Sequence, residues 1–499
     1  MDTTLRDGEQ TRGVSFLPHE KLQIARALIE ELNIDRIEVG SARVSEGEKE
    51  AVESICKWAK SHGFIDRVEV LGFVDGNKSL DWIQSAGCNV VNLLTKGSLK
   101  HCEGQLKKTP EEHIADILAD VENAHKRGMT VNVYLEDWSS GMIDSPDYVF
   151  HMMDALKDCG IRRFMLPDTL GILNPYNMTQ YFSKMTERYA DLHFDFHAHN
   201  DYDLAVSNVF AAVSHGAKGL HTSMNGLGER AGNAPLASVQ AVLKDQTHVR
   251  TSINEEKLNE VSHLVESYSG IAIPPNKPVV GSSVFTQVAG VHADGDNKNG
   301  LYQNKLVPER FGRKREYALG KVSGKANILR NLEEMGIQLS EDAMRKVTAR
   351  IIELGDKKEL VTKDDLPYIV NDVLKHNPID EKVKLKSYMV STAFGLKPVA
   401  SVQLEVDGEI YEETATGDGQ YDAFVRCIRH IYKNKLDRHF PWLCNYNVTI
   451  PPGGRTDALV QTTIDWEYDG RNFVTHALDV DQTEAAIKAT IKMLNLIEE

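Results

Sequence analysis

Short apolar segments alternate with longer amphipathic segments over the first half of the chain. The apolar segments predict strands at Asp2–Leu5, Arg36–Gly40, Val68–Val74, Val90–Thr95, Val131–Glu136, Arg163–Pro167, His193–His197 and Gly219–Met224. Helical spacing of apolar residues between them predicts helices at His19–Leu32, Glu46–His62, Pro110–Arg127, Ser145–Cys159, Pro175–Tyr189 and Leu204–His215. This alternation indicates a parallel sheet in an α/β domain, and eight strands are the number in a (β/α)8 TIM barrel. An open doubly wound sheet is the alternative, although no G-x-G-x-x-G motif follows the first strand.

The first predicted strand begins almost at the start of the sequence. Only Met1 precedes Asp2, whereas a buried parallel strand usually has about 4–8 mostly apolar residues. We expect that residues before Met1 are missing from this sequence, which would weaken the bottom of the barrel at its first strand.

The pattern changes after the eighth predicted strand and divides the chain into three regions. We assign a barrel to residues 1–250, a mostly helical connecting region to residues 251–382 and an α+β domain to residues 383–499. Helical patterns in the connecting region lie at Glu255–Tyr268, Ser340–Leu354 and Lys363–Leu374.

The third region contains an internal repeat. Asp407-Gly408 and Asp469-Gly470 each lie between alternating apolar residues, which is a hairpin signal. Each hairpin leads into a helical pattern, and the offset between the two copies is constant along the repeat. Two strand-strand-helix units are typical of a pseudo-twofold domain that serves as a regulatory or dimerisation module.

Composition excludes several classes of function. The 499 residues carry a net charge of −16, which argues against nucleic acid or an anionic membrane as the main partner. No apolar run is long enough to span a bilayer. The six cysteines are scattered without a C-x-x-C pair, as expected of a reduced cytoplasmic protein without a structural zinc site.

The segment FHAHND carries the strongest candidate chemistry. His197 and His199 are separated by one residue on a predicted strand, so both imidazoles point to the same face. Neutral imidazole is a common ligand of divalent transition metals. An isolated H-x-H motif is explained about equally well by a metal site and by two histidines that bind no metal. The residues at the other strand ends must therefore distinguish these two interpretations.

Polar side chains also follow the other predicted strands, where barrel enzymes place their active sites. They are Arg6, Asp7 and Gln10 after the first strand, Tyr134 and Glu136 on the fifth, Asp168 and Thr169 after the sixth, and Asn233 after the eighth. Each of these features also has an ordinary structural explanation when it is considered alone. Arg6 and Asp7 could form a structural ion pair, and Asp168 and Thr169 could cap a helix. Tyr134, Leu71 and Leu94 could be core residues, and His292 could be an inert loop histidine. Together, one carboxylate, two imidazoles and an adjacent arginine are the parts of a catalytic divalent-metal site.

Three motifs, DTTLRDGEQ, FHAHND and NGLGERAGN, are followed by AGVHADG and the C-terminal repeat. In combination they resemble the acyl-CoA-condensing synthases of the isopropylmalate, homocitrate and citramalate type, over nearly the whole chain. The resemblance implies a Claisen condensation of acetyl-CoA with an α-keto acid, followed by thioester hydrolysis that releases CoA. It also implies a divalent metal (Mg²⁺, Mn²⁺ or Zn²⁺) and a homodimer.

The resemblance also implies roles for individual residues. The metal ligands would be Asp7, His197 and His199, with Asn233 near the same ion. Arg6 would contact the keto oxygen, Thr169 would bind the keto-acid carboxylate and Gln10 would join the substrate site. Glu136 and His292 would be candidates for deprotonating the acetyl methyl group, with Tyr302 assisting.

Within this family, the segments EDWSSGM, LLTKGSL and RFGRKREYALGK resemble the citramalate branch. Leu71, Leu94 and Tyr134 match the keto-acid pocket of that branch, where bulky side chains leave room for a methyl group but little for isopropyl. This favours pyruvate as substrate and (R)-citramalate, a precursor of isoleucine, as product. A hydrophobic pocket discriminates by only about 1–3 kcal/mol per methylene, so 2-isopropylmalate synthesis from 2-ketoisovalerate, for leucine, stays open.

The C-terminal repeat is expected to hold a feedback site for isoleucine or leucine.

Two other classes of function compete with the synthase hypothesis. A metal-dependent barrel aldolase or lyase would use the same metal site, but should lack the C-terminal repeat and the VHADG segment. An amino-acid sensor with a silent barrel would not need Arg6, Asp7, both histidines and Glu136.

Overall fold

The computed structural model describes residues 1–287, 301, 303–320, 324–335, 337–356, 361, 366, 369–370, 373, 382–449 and 460–498. The chain forms two compact units. The first comprises Met1–Thr286 with Gln303–Arg315, and the second comprises Gln287–Tyr302 with Glu316–Glu499.

A parallel sheet of seven strands forms the centre of the first unit, in the order β1 to β7. The strands are β1 (Ile37–Ser41), β2 (Val68–Phe73), β3 (Val90–Lys96), β4 (Thr130–Glu136), β5 (Arg163–Asp168), β6 (Phe194–Ala198) and β7 (Gly219–His221). Each pairs with the next along the chain, which confirms the predicted barrel-type α/β fold.

The start of the chain takes the eighth position of this barrel with almost no strand. Asp2 pairs in parallel with Ile37 of β1 and with Thr222 just after β7. The Asp2 N–H donates to the carbonyl of Arg36 (2.8 Å), and the Thr3 N–H donates to that of Thr222 (2.8 Å). The strand predicted at Asp2–Leu5 is therefore reduced to this bridge, because the backbone turns back after Thr3.

Amphipathic helices connect the strands, and most begin at sequence signals for a helix N-terminus. Their bounds are Pro18–Arg26, Glu46–Ser61, Lys78–Ser85, Pro110–Lys126, Trp138–Asp144, Pro146–Leu156, Pro175–Arg188, Ala205–Ser214, Leu236–Gln246 and Leu258–Ser269. At Pro110, for example, the Thr109 hydroxyl accepts the Glu112 N–H (3.2 Å) and the Glu112 carboxylate accepts the Thr109 N–H (2.9 Å). The helices and strands share one large core, with Phe164, Phe182, Phe194 and Phe196 fully buried in it.

The second unit contains a small helical core and a larger α+β core. Helices Lys325–Glu334 and Glu341–Asp356 pack through buried Ile328, Leu332, Val347 and Ile351. Along the chain, strand β8 (Thr286–Gln287) lies at the boundary of the first and second units, and β9 (Glu316–Tyr317) precedes these helices. Most of the helix predicted at Lys363–Leu374 lies outside the described residues.

The C-terminal part confirms the internal repeat and adds a third strand to each copy. One copy has β10 (Val383–Ser391), β11 (Val399–Val406), β12 (Glu409–Thr416) and the helix Gln420–His430. The other has β13 (Trp442–Thr449), β14 (Val460–Tyr468), β15 (Arg471–Asp479) and the helix Gln482–Ile497. Asp407 and Asp469 have φ of 51° and 49° and are each followed by a glycine of positive φ, as the predicted two-residue hairpin turns require. Both copies share one core.

None of the helices in the described parts of the chain combines the length and the apolar character that a transmembrane helix needs.

Candidate active site

Asp7, His197 and His199 converge at the carboxyl ends of the strands. The Nε2 atom of His197 lies 3.2 Å from Oδ2 of Asp7 and 3.3 Å from Nε2 of His199, and Nε2 of His199 lies 3.8 Å from the same Asp7 oxygen. Two ligands held about 2.1 Å from one ion lie about 3.0–3.4 Å apart at octahedral to tetrahedral angles. Two of the three separations fall in this range and the His199–Asp7 separation is slightly longer, so the donor set suits a divalent metal ion.

Two separate segments bring these side chains together. His197 lies on β6 and His199 just beyond its end, so the two-residue period of the strand turns both rings to one side. Asp7 lies on the turn that follows the Asp2 bridge, immediately before the short 3-10 helix Gly8–Gln10. All three residues are buried.

Asn233 completes the cluster from the loop after β7. Its Nδ2 donates to Oδ2 of Asp7 (2.8 Å) and to the carbonyl of Leu227 (3.0 Å). Its buried Oδ1 accepts no hydrogen bond from the described residues. An amide oxygen in this position can serve as a further metal ligand. The backbone passes so close to Asn233 that a Cβ on Gly228 would lie 2.5 Å from its Nδ2.

Electrostatics keep Asp7 and His199 in the protonation states that metal ligands require. Burial favours the neutral form of Asp7, but the Arg6 guanidinium at 3.3 Å and His197 hold the pKa of Asp7 well below its usual value. Burial, together with the neighbouring His197, lowers the pKa of His199 from 6.5 to about 3. At neutral pH the cluster thus contains a carboxylate and, at His199, a neutral imidazole.

Arg6 lies beside the cluster and is held rigidly. Its Nε donates to Glu38 Oε2 (2.6 Å), and its Nη2 lies 3.5 Å from the Tyr134 hydroxyl. Glu38 is fully buried and also accepts from Asn92 (2.8 Å). A largely buried, oriented guanidinium next to a candidate metal site is suited to binding a substrate oxygen that gains negative charge.

The residues predicted to line the keto-acid pocket form one small apolar cluster, separate from the main core. Leu71 and Tyr134 are buried in it, and Leu94 is half-buried. Met165 on β5 and half-buried Met1 are two further members that the sequence analysis missed. Met165 pairs with Tyr134 across neighbouring strands, so its position follows from a strand register that the sequence pattern does not determine.

Glu136 lies at the end of β4 and forms an ion pair with Lys96, its register partner on β3. The next residue, Asp137, is buried with a φ of 62°, and its backbone N–H donates to the Thr169 hydroxyl (2.9 Å). Because the Thr169 oxygen accepts this bond, the hydroxyl proton remains available to a substrate carboxylate.

The remaining predicted site residues lie elsewhere or outside the described chain. Gln10 is exposed in the short helix after Asp7. The carboxylate of Asp168 accepts the backbone N–H groups of Ile172 and Leu173, both at 3.0 Å, so it caps the following turn. His292 and Tyr302 fall outside the described residues.

Comparisons with known proteins identify the family. Residues 1–265 match the HMGL-like family, residues 279–359 the homocitrate synthase post-HMGL domain-like family, and residues 360–498 the LeuA allosteric (dimerisation) domain. The (R)-citramalate synthase of Methanocaldococcus jannaschii is 35% identical, with 99% of this chain and 98% of the relative covered. The 2-isopropylmalate synthase of the same organism is 36% identical, with 99% and 94% covered.

This chain belongs to the citramalate and 2-isopropylmalate synthase family. It is therefore an acyltransferase, and the resemblance inferred from the motifs is confirmed. Among solved structures, the HMG-CoA lyase of Bacillus subtilis is 22% identical with a TM-score of 0.47, covering 55% of this chain and 94% of the lyase. The two M. jannaschii synthases are almost equally similar to this chain, so overall identity does not distinguish pyruvate from 2-ketoisovalerate as the substrate of this synthase.

Proposed function

We propose that this synthase condenses acetyl-CoA with pyruvate and hydrolyses the resulting thioester to give (R)-citramalate and CoA. The observation that carries the proposal is the apolar cluster of Leu71, Leu94, Tyr134 and Met165. Tyr134 joins this cluster to Arg6 through a 3.5 Å contact, and Arg6 borders Asp7. A keto acid held by Arg6 and by a metal ion bound at Asp7 would direct its alkyl group towards these bulky side chains, which leave room for a methyl group.

The proposed metal ligands are Asp7, His197 and His199, with Asn233 as a further oxygen donor. A divalent ion bound there (Mg²⁺, Mn²⁺ or Zn²⁺) supplies a Lewis acid for the carbonyl of the keto acid. The charge state of the cluster supports this assignment, because Asp7 is held as a carboxylate and His199 as a neutral base.

The side chains around the cluster have separate roles in the proposed reaction. Arg6 holds the keto oxygen, which becomes an alkoxide as the new carbon–carbon bond forms, and Glu38 fixes the guanidinium. The Thr169 hydroxyl donates to the keto-acid carboxylate. Glu136 removes a proton from the acetyl methyl group, whose carbon then attacks the keto carbon. His292 is the alternative candidate for removing this methyl proton, with Tyr302 assisting it.

The second candidate activity is 2-isopropylmalate synthesis from 2-ketoisovalerate. The observation that favours it is the 36% identity to the M. jannaschii enzyme of that name. The two activities use the same proposed metal ligands and the same chemistry at the acetyl group, and they differ only in the room required beside the keto carbon.

The C-terminal domain supports a proposal for regulation. Residues 360–498 match an allosteric dimerisation domain, and we infer feedback inhibition of a homodimer. If pyruvate is the substrate, isoleucine is the expected inhibitor. Inhibition by leucine and not by isoleucine would contradict this part of the proposal.

The test is to incubate the full chain with acetyl-CoA, pyruvate and Mg²⁺ or Mn²⁺, to measure free thiol and to identify the product by chiral chromatography. One (R)-citramalate formed per CoA released supports the proposed reaction. CoA release without citramalate, or citramalate of the opposite hand, contradicts it.

A further inference from the structure

His221 is a buried histidine that the proposed reaction does not use. It is the last residue of β7, with a fully buried side chain. Its Nδ1 lies 3.1 Å from the hydroxyl oxygen of Tyr134, and its Nε2 lies 3.1 Å from Oδ2 of Asp195. The His221 and Tyr134 rings meet edge to face, with centroids 5.5 Å apart.

The surroundings of Asp195 decide which nitrogen of His221 carries the proton. Oδ2 of Asp195 also accepts from Arg36 (2.5 Å), and its Oδ1 lies 2.9 Å from His193 Nε2. Arg36 and Asp195 thus form a buried ion pair. Because an ionised carboxylate only accepts hydrogen bonds, His221 must donate through Nε2, which leaves Nδ1 as an acceptor.

The hydroxyl of Tyr134 therefore has His221 as its nearest acceptor. Its other acceptor is Oε2 of Glu38, at 3.3 Å. That oxygen already accepts the 2.6 Å hydrogen bond from Arg6. Donation to His221 leaves the Arg6–Glu38 pair intact and fixes the phenol ring against Leu71 and Met165.

We propose that His221 is a positioning residue that orients Tyr134 and thereby sets the keto-acid selectivity of this synthase. The inference rests on the proposed function, because it takes Tyr134 as a wall of the keto-acid pocket. Without the acceptor at Nδ1, the Tyr134 hydroxyl donates to Glu38 Oε2. Shortening that 3.3 Å contact to a full hydrogen bond draws the phenol ring away from Leu71 and Met165, and longer keto acids gain room.

The experiment compares two substitutions with opposite hydrogen-bonding capacity. His221→Phe keeps a ring at the site but removes the acceptor, whereas His221→Asn keeps an acceptor near the position of Nδ1. The readout is the ratio of kcat/KM for pyruvate to kcat/KM for 2-ketoisovalerate within each variant. This ratio does not depend on the fraction of enzyme that is folded or metal-loaded, so a merely structural role for His221 would not change it.

We expect the ratio to fall roughly tenfold in His221→Phe, the scale of one methylene in a hydrophobic pocket. His221→Asn should stay within about threefold of the wild type, since its acceptor still holds Tyr134. His193→Phe is the matched control, because His193 contacts the same carboxylate, Asp195, without touching Tyr134. If His221→Phe does not fold, the flexible apolar His221→Met fills a similar space and takes its place in the comparison.

A double-mutant cycle with Tyr134→Phe tests the route of the effect. If His221 acts through the Tyr134 hydroxyl, adding His221→Phe to Tyr134→Phe should change the ratio little further. Additive effects, an unchanged ratio in His221→Phe, or an equal change in His193→Phe would each overturn the inference. Wild-type enzyme that uses neither keto acid, or that prefers 2-ketoisovalerate, would instead refute the proposed function. The two failures are thus distinguishable.

Discussion

Asn233 donates a 2.8 Å hydrogen bond to Asp7, although 226 residues separate them along the chain. The bond joins the turn after the Asp2 bridge to the loop after β7, and the two segments meet because the start of the chain takes the last position of the barrel. The candidate metal site therefore depends on closure of the sheet. Substitutions that keep the ligands but disturb this closure should also weaken metal binding.

The tight backbone around Asn233 leads to the first prediction. In Gly228→Ala, the added Cβ would lie 2.5 Å from Nδ2 of Asn233, so the amide must move away from Asp7. We expect metal affinity to fall by about 10–100-fold, the usual cost of losing a partner that orients a ligand. Gly47→Ala is the control, because its added Cβ would meet Ser45 Oγ at 3.9 Å and no closer side chain of the described residues. Titration calorimetry with Mn²⁺ measures the difference, and equal affinities in the two variants would show that Asn233 does not support the site.

The second prediction concerns a ligand itself. His199→Ala removes one of the three converging atoms, and we expect larger losses of metal affinity and of CoA release than in Gly228→Ala. The melting temperature of the metal-free protein should change little, because the unbound His199 makes few hydrogen bonds. Exposed His263 on the helix Leu258–Ser269 provides the control His263→Ala. Normal metal content and turnover in His199→Ala would rule out the ligand assignment.

The third prediction uses two neighbouring leucines of β3 that face opposite sides. Leu94 belongs to the proposed pocket cluster, whereas Leu93 is buried in the main core. Leu94→Ala should raise kcat/KM for 2-ketoisovalerate relative to pyruvate. Leu93→Ala should cost about 2–5 kcal/mol of stability and leave that ratio unchanged. Steady-state kinetics with both keto acids measures the ratio, and an unchanged ratio in Leu94→Ala would place the pocket elsewhere.

The fourth prediction is a pH dependence of stability that arises at His113. Burial, with help from Lys108, lowers the pKa of His113 from 6.5 to about 4, and its Nε2 accepts the backbone N–H of Lys96 (3.1 Å). Between pH 7 and pH 5 the unfolded imidazole takes up a proton while the folded one does not, so this contribution to stability is lost as the pH falls. His113→Gln should reduce the loss between these pH values by roughly 1–2 kcal/mol. Denaturant unfolding at both pH values tests it, and an equal loss in the variant and the wild type would contradict the assignment.

The sequence predicted the elements whose signals are local. The helices at Pro110 and Glu46 begin at capping residues, and the Asp-Gly hairpins of the repeat have the positive φ that their residues favour. The strand predicted at Asp2–Leu5 was wrong in length, because hydrogen bonds to both edges of the sheet end at Thr3.

The motifs predicted that Asp7, His197 and His199 lie together, but the sequence did not predict the residues around them. His197 and His199 share a motif, whereas Glu38, Met165 and His221 each lie in an ordinary strand sequence. Their importance follows only from the register that brings them to Arg6 and Tyr134. One residue of shift in any of these strands would turn them out of the barrel, and the sequence pattern does not determine register to that accuracy.

The most direct test of the account is the ratio of kcat/KM for pyruvate to that for 2-ketoisovalerate. It should be measured as CoA release from acetyl-CoA by the Mn²⁺-loaded wild-type chain. The account predicts a preference for pyruvate of at least roughly tenfold, since two extra methyl groups must enter the pocket beside Tyr134. A preference for 2-ketoisovalerate would contradict it and would assign this synthase to 2-isopropylmalate formation.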